Sequence, residues 1–382
     1  VSERVVITGT GALSPFGATP AALWSGVLAG RHGVATIPRL AGLEVTSGGE
    51  VREGSLGELD RDRVLATRAI DDALAAAGRD AADTGFVWGT ALDTYERGAR
   101  VEDLAYRSSG RCFAELATRF SAPRRMIAVA CATGTVAIGE AFRLVRSGRI
   151  EACVAGGSST MLGAFYVIGF HALRAVAVDV PGEPASAACK PFDRKRRGFA
   201  LADGAGALVV ESLASATRRG VAPIAELLGY GVSQDAFDLN RPPTDGAGAG
   251  QAMQRALDDA KLEASSLDAV NAHGTGTVAG DLAEAAALRR LFGAGWPRVP
   301  VSSLKGAIGH TMAAAGALEA IAAIETSRTG VVPATANLEE PDDGCELGHV
   351  IGAPRETGAR RVLSVSFGMG GQNAAIVIAR FL

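Results

Sequence analysis

An excess of charge of one sign is what this chain most lacks: 38 Lys and Arg stand against 41 Asp and Glu, for a net charge of −3 and a pI of about 6.0. No run of like charges longer than four residues occurs, so no nucleic-acid partner is expected. Cysteine is scarce as well, with Cys112, Cys131, Cys153, Cys189 and Cys345 only. Odd in number and without CxxC spacing, they suit neither a disulfide framework nor a zinc site; reduced thiols in a cytoplasm and no bound metal are the expectation. The opening VSERVVITGTG places charges directly before a strand-like run and has no signal-peptide core, so export is not expected. The longest uncharged stretch, 152–173, is interrupted by Gly156, Gly157, Ser158, Ser159, Thr160, Gly163 and His171. It reads as a buried strand, a loop and a helix rather than a membrane span.

Short apolar runs are what the chain has in quantity. Its 382 residues, 48% hydrophobic, suffice for two core-sized units or one large one. Runs of strand length recur: RVVITG at 4–9, GFVWGT at 85–90, MIAVA at 126–130, EACVAGG at 151–157, GALVVES at 206–212, LDAVNAHG at 267–274, RVPVSS at 298–303 and VLSVSFG at 362–368. Between them lie RVLATRAIDDALAAAG, TVAIGEAFRLVRSG, GQAMQRALDDAKL, DLAEAAALRRLFG and TMAAAGALEAIAAIETSR, with apolar residues every three or four positions. This alternation predicts an α/β architecture whose sheets are covered on both faces.

An internal echo points to two related halves. Glu140-Ala141 follows Cys131 by nine residues, and Glu319-Ala320 follows His310 by nine, each within an Ala/Gly-rich helical pattern. The halves are expected to meet near 212–222, giving units 1–215 and 216–382. The small residues Ala132, Gly134, Ala137, Gly139 and Ala313 to Gly316 permit close packing and should be central.

Cys131 stands at a strand-to-helix junction, where helix N–H groups and the helix dipole favour a thiolate. By itself it reads better as a small buried hydrophobe. Five histidines make their settings informative. His32 and His349 lie in polar, loop-like surroundings, and His171 in a Gly-Phe-His-Ala context; none of these suggests catalysis. His273, opening HGTGT after an apolar run, and His310, in KGAIGH before a helix, sit where α/β sheets place sites. HGTGT lacks the phosphate-loop spacings, so Thr275 and Thr277 read equally as ligand-facing hydroxyls or as parts of a tight turn. VAGG at 154–157 and GMGG at 368–371 read as turns with close backbone approach, able to point N–H groups at an oxyanion. Lys305 is placed to pair with a carboxylate such as Glu319.

Taken in order, CATGTVAIGEA, KPFDRKRRGFALADGAGALVVES, NAHGTGT, KGAIGH and SFGMGGQN resemble the β-ketoacyl-acyl-carrier-protein synthases, condensing enzymes of the thiolase superfamily, over nearly the whole chain. The resemblance implies a five-layered αβαβα fold of two related halves. It also implies a decarboxylative Claisen condensation between an enzyme-bound acyl group and a malonyl unit on acyl carrier protein. Cys131 then matches the nucleophile, and His273 and His310 the two histidines that hydrogen-bond the malonyl thioester carbonyl. Lys305 and Glu319 match the supporting pair, and the backbone N–H groups of Cys131 and Met369 an oxyanion hole. Thr275 and Thr277 match contacts to the pantetheine arm, and Phe199, Phe367 and Met369 the substrate-lining positions. No cofactor is expected on the chain itself, since the phosphopantetheine belongs to acyl carrier protein. A homodimer, or a heterodimer with a ketosynthase-like subunit, is implied as well.

Four features depart from the family pattern: Met369 where an aromatic is usual, Gln372 and Leu304 where threonines are usual, and a short segment between Gly89 and Cys131. They favour a specialised type II polyketide or fatty-acid-like pathway. Two alternatives remain at this level: a non-decarboxylating acyltransferase on the same scaffold, and the catalytic subunit of a ketosynthase/chain-length-factor heterodimer.

Overall fold

The computed structural model describes residues 3–52, 58–90, 94–96 and 105–382. Its largest sheet has ten strands: β1 (Val5–Leu13), β2 (Gly85–Gly89), β3 (Arg124–Ile127), β4 (Ala152–Ser159), β5 (Gly204–Ser212), β6 (Ala225–Gln234), β7 (Ala269–Asn271), β8 (Val301–Ser302), β9 (Arg361–Gly368) and β10 (Gln372–Ala379). Their spatial order is β8-β7-β9-β10-β6-β1-β5-β4-β2-β3. At the middle, β1 and β6 share only Val5–Ile7 against Ala225–Leu227. Cut there, the sheet yields two five-stranded halves with one topology. In each half the first strand pairs antiparallel with the fifth, the fifth antiparallel with the fourth, the fourth parallel with the second, and the second parallel with the third.

The helices among the described residues include α1 (Glu58–Ala77), α2 (Ser109–Ala117), α3 (Thr133–Arg146), α4 (Ala164–Ala172), α5 (Ala247–Ala260), α6 (Val278–Phe292) and α7 (Ala315–Thr329). α1 covers β1, β4 and β5, whereas α5 covers β6 and β10 with α6 beside it. α3 and α7 pack on each other and on strands of both halves. Nearly every residue of α7 is buried, as a helix between two sheets requires. The result is the thiolase-like αβαβα stack that the motifs implied.

The glycines show how the two halves repeat. A Cβ on Gly9 or Gly11 of β1 would lie 2.2 and 2.0 Å from the carbonyl oxygens of Ala73 and Ala69 in α1. A Cβ on Gly229 or Gly231 of β6 would lie 2.2 Å from the carbonyl oxygens of Ala256 and Ala252 in α5. Each first strand thus lets its outer helix approach to backbone contact through the same pair of missing side chains. At the centre, Gly134 of α3 leaves room for Ala313 O and Ala317 N, and Gly316 of α7 for Thr135.

The structure revises several expectations. The echo between Cys131 and His310 is out of register: the turns that open the central helices are Ala130–Ala132 and Met312–Ala314, each beginning with a non-glycine residue at positive φ, Ala130 at 50° and Met312 at 46°. His310 lies before that turn, in a segment between β8 and α7 that has no counterpart between β3 and α3. Accordingly Glu140 pairs at the surface with Arg125 and Arg143, while Glu319 is buried. VAGG is no turn but the middle of β4, although its backbone approach is close, since a Cβ on Gly157 would meet Ala313 O at 2.4 Å. The strand in MIAVA ends at Ile127. β6 and β10 escaped the reading of apolar runs, β6 because Gly229 and Gly231 interrupt its pattern. β3 is not apolar on both faces, as Arg124 and Met126 are exposed. His349 is buried, tilted against Phe192 with ring centroids 4.8 Å apart and bonded through Nε2 to Cys345 O, not set in a polar loop. Part of the segment between Gly89 and Cys131 lies outside the described residues. No helix among the described residues is long and apolar enough to cross a membrane.

Candidate active site

Cys131 follows the C-terminal end of β3, His273 that of β7, His310 that of β8 and Met369 that of β9. Sheets of this kind place ligands at that end, where loops and helix starts converge. These four residues line one cavity of about 540 Å³ together with Thr275, Thr277, Phe199 and Phe367. Lys305 and Glu319 lie behind the histidines, each about 1% exposed. Every site residue named from the sequence is therefore in or directly behind this cavity.

The two imidazoles stand edge to face with ring centroids 5.5 Å apart. Phe199 abuts His310 at 5.1 Å, and Phe367 abuts His273 at 5.6 Å, both edge to face. Hydrogen bonds set the tautomers. Lys305 Nζ approaches His273 Nδ1 at 3.3 Å, and an ammonium can only donate, so Nδ1 accepts and the ring proton sits on Nε2. Met312 N–H donates to His310 Nδ1 at 3.3 Å, which again places the proton on Nε2. His310 Nε2 is buried without a partner among the described residues. Burial and the Lys305 charge hold both rings well below the usual imidazole pKa, so both are neutral donors.

Lys305 is fixed by its other contacts, donating to His273 O at 2.6 Å and to Glu319 Oε1. Burial pushes the Glu319 carboxyl up while Lys305 opposes it. The His310 backbone is clamped from the N-terminal half, its N–H donating to Ala200 O at 2.7 Å and its carbonyl accepting from Ala202 N–H at 3.0 Å. Two carboxylates missed in the sequence hold the HGTGT loop. Glu284 accepts from His273 N–H at 2.8 Å and Gly274 N–H at 2.7 Å, and Asp281 accepts from Thr275 N–H at 3.0 Å and Phe192 N–H at 2.6 Å. Burial raises them to about 8 and about 6 respectively. Their signal was present as two acids in the first two turns of a helix that directly follows a Gly-rich loop. HGTGT is thus a tight turn, and its threonine hydroxyls, 2.9 Å apart, also face the cavity.

At Cys131 burial works against the thiolate that a helix start favours. Burial pushes the Cys131 thiol up to about 11, outweighing Lys305 and the backbone N–H groups of Met369 and Cys131, which act in the opposite direction. The resting residue is a thiol. Leu304 is buried in the central core, and Gln372 Oε1 is buried without a partner among the described residues.

Comparison with known proteins accords with this geometry. The model of the β-ketoacyl synthase N-terminal domain matches residues 2–216, and that of the β-ketoacyl synthase C-terminal domain matches 224–339. The chain belongs to the β-ketoacyl synthase family. As a member it is a condensing enzyme of the acyltransferase class. It is 34% identical to 3-oxoacyl-acyl-carrier-protein synthase 2 of Staphylococcus aureus (strain COL), over 100% of this chain and 99% of that one. Among solved structures, a type II polyketide ketosynthase in complex with its acyl carrier protein, bound to a hexaketide, superposes with a TM-score of 0.90 at 26% identity over 100% of both chains. The ishigamide ketosynthase/chain length factor does so with 0.88 at 29%, again over 100% of both.

Proposed function

We propose that this synthase joins a Cys131-bound acyl group to a malonyl unit on acyl carrier protein by decarboxylative Claisen condensation, giving β-ketoacyl-acyl carrier protein in a specialised type II polyketide or fatty-acid-like pathway. The observation that carries the proposal is the pair of neutral imidazoles, both held as Nε2–H tautomers in the cavity that also contains Cys131. Two uncharged donors lining one cavity suit a developing enolate oxygen.

In the first half-reaction Cys131 attacks the acyl thioester, the C–S bond to the pantetheine breaks, and the thiol proton ends on the departing sulfur. The N–H groups of Cys131 and Met369 meet the oxyanion, each donor of this kind being worth about 2.7–4 kcal/mol. A malonyl thioester then enters along Thr275 and Thr277, with Phe199, Phe367 and Met369 around it. His273 and His310 donate to its carbonyl as carbon dioxide leaves and the bonding pair becomes the enolate. The enolate carbon attacks the acyl-Cys131 carbonyl and expels the sulfur, which takes a proton from solvent. A thiol whose pKa lies near 11 returns readily to its protonated state. Lys305 and Glu319 act through His273, fixing its tautomer.

The substrates arrive on the phosphopantetheine of acyl carrier protein, and the chain itself needs no cofactor. We divide it into a nucleophile-bearing half, 1–215, and a histidine-bearing half, 216–382, and place the working protein in a cytoplasm as a pair with itself or with a ketosynthase-like subunit, which the mass of the co-expressed complex decides. The chemical test is incubation with acyl- and malonyl-carrier proteins across chain lengths. An acyl-Cys131 adduct followed by carbon dioxide release and a β-ketoacyl product is expected. Neither adduct nor product at any length refutes the proposal, and acyl transfer that survives His310→Ala without decarboxylation replaces it with a simple acyltransferase.

A further inference from the structure

The basic run Arg194-Lys195-Arg196-Arg197 within KPFDRKRRGF divides on folding. Arg194 and Lys195 are exposed and pair with the surface acids Glu340 and Glu339. Arg197 turns to Val178 O and Glu183. Arg196 is buried, its side chain 1% exposed, and reaches the loop that joins β7 to α6. Its Nε donates to Thr277 O at 3.4 Å, its Nη2 to Val278 O at 3.1 Å, and its Nη1 to Asp193 O at 3.1 Å and Asp342 Oδ2 at 2.6 Å. Asp281 Oδ2 lies 3.8 Å from Nε. We propose that Arg196 is a positioning residue for the thioester arm of the substrates, fixing the backbone of 275–278 so that the Thr275 and Thr277 hydroxyls stand in the cavity.

The proposal rests on Thr275 and Thr277 as contacts of the pantetheine arm. Both line the cavity, whereas Arg196 does not. Four consecutive carbonyls of this loop accept from one short segment of the N-terminal half. Cys189 Sγ donates to Thr275 O at 3.4 Å and Gly198 N–H to Gly276 O at 2.8 Å, and Arg196 takes Thr277 O and Val278 O. Two N–H groups of the loop are held by Asp281, which accepts from Thr275 N–H at 3.0 Å and Gly276 N–H at 3.1 Å. A carboxyl that accepts from several donors serves best as an anion; burial opposes that form and Arg196 favours it. One guanidinium therefore acts on the loop twice, directly at two carbonyls and through Asp281 at two N–H groups. With the loop's backbone bound in this way, its threonine hydroxyls are the polar groups left to face a ligand. A lysine would supply the charge but not the planar fork.

The test compares acylation of Cys131 by the hexanoyl thioesters of pantetheine and of ethanethiol, which lacks the arm, with the adduct read by intact mass. The quantity compared is the ratio of the two rates on one protein, so a general loss of activity or of folded protein cancels. Arg196→Met should lower that ratio about tenfold, as loss of the hydroxyl contacts would. The pair Thr275→Val and Thr277→Val should lower it similarly, and Arg196→Met added to that pair should lower it no further. Should the methionine variant fail to fold, Arg196→Lys decides, and its ratio should also fall severalfold. If the threonine pair moves the ratio and the folded Arg196 variants do not, the role of Arg196 is overturned and the function stands. If the threonine pair leaves the ratio unchanged, the arm contacts and the role of Arg196 fall together. No adduct on the wild-type chain with either thioester overturns the function itself.

Discussion

Replacing Lys305 by methionine tests the centre of the site in stability and in chemistry at once. Methionine keeps the apolar stem but deletes Nζ, which donates to His273 O, to Glu319 Oε1 and to His273 Nδ1. Glu319 Oε2 already lacks a partner among the described residues, so the variant leaves a buried carboxyl without any. Breaking a buried pair from one side costs about 3–5 kcal/mol. The cost depends on pH with a definite sign. Burial already raises the Glu319 pKa, and losing Lys305 raises it further, above the unfolded value of 4.5. A neutral carboxyl is then tolerated in full below the unfolded pKa, and that tolerance is lost as pH rises through the folded one. Urea unfolding of both proteins at about pH 8 should show the whole deficit, and at about pH 5 a clearly smaller one. Adding Glu319→Gln should recover most of the loss at the higher pH. Malonyl decarboxylation should fall by about 10²–10³, because His273 is no longer held as the Nε2–H tautomer. A deficit under about 1 kcal/mol, or one that does not change with pH, would refute the picture of a buried, coupled pair.

Other consequences can be checked separately. With its thiol near 11, Cys131 should be alkylated by iodoacetamide about tenfold faster per pH unit from neutrality to about pH 10, and a plateau near neutrality would contradict the burial argument. His310 stays neutral in the folded protein while the unfolded chain binds a proton below about 6.5, so stability falls as pH drops beneath that value. His310→Gln should therefore flatten the acid limb by up to about 1.4 kcal/mol per pH unit, read from denaturation midpoints between neutrality and mild acid. In α7, Gly316→Ala would gain about 1 kcal/mol of helix propensity but set a Cβ 2.1 Å from Thr135 Oγ1 and 2.5 Å from its backbone nitrogen. Overpacking should win, for a net loss of about 1–2 kcal/mol. Gly110→Ala in α2 meets nothing within 4 Å and should be neutral or stabilising by up to about 1 kcal/mol; equal effects of the two changes in urea unfolding would contradict the close approach of α3 and α7.

Much was legible before any coordinates, because the relevant signals are local. Apolar runs of strand length alternating with helical periodicity determine the α/β class, and motifs such as CATGTVAIGEA and KGAIGH carry Cys131 and His310 to strand ends followed by helices. What escaped had its cause at a distance. Gly229 and Gly231 hide β6 from a reading of hydrophobic runs, and only the carbonyls of α5 explain them. Glu284 and Asp281 look like ordinary helix acids until the loop at His273 folds back on them. The helix dipole made a thiolate plausible at Cys131, yet the cost of burying that charge depends on everything packed around it. The echo between Cys131 and His310 came from similar Ala/Gly-rich composition, while the true repeat lies in strand order and in turns beginning at Ala130 and Met312. Sequence alone thus determined which chemical groups stand at the strand ends, since a strand, its boundary and the next helix are written in neighbouring residues. Tertiary structure decided their charge states, their tautomers and what touches Cys131. Those properties depend on burial and on hydrogen bonds between segments far apart in the chain.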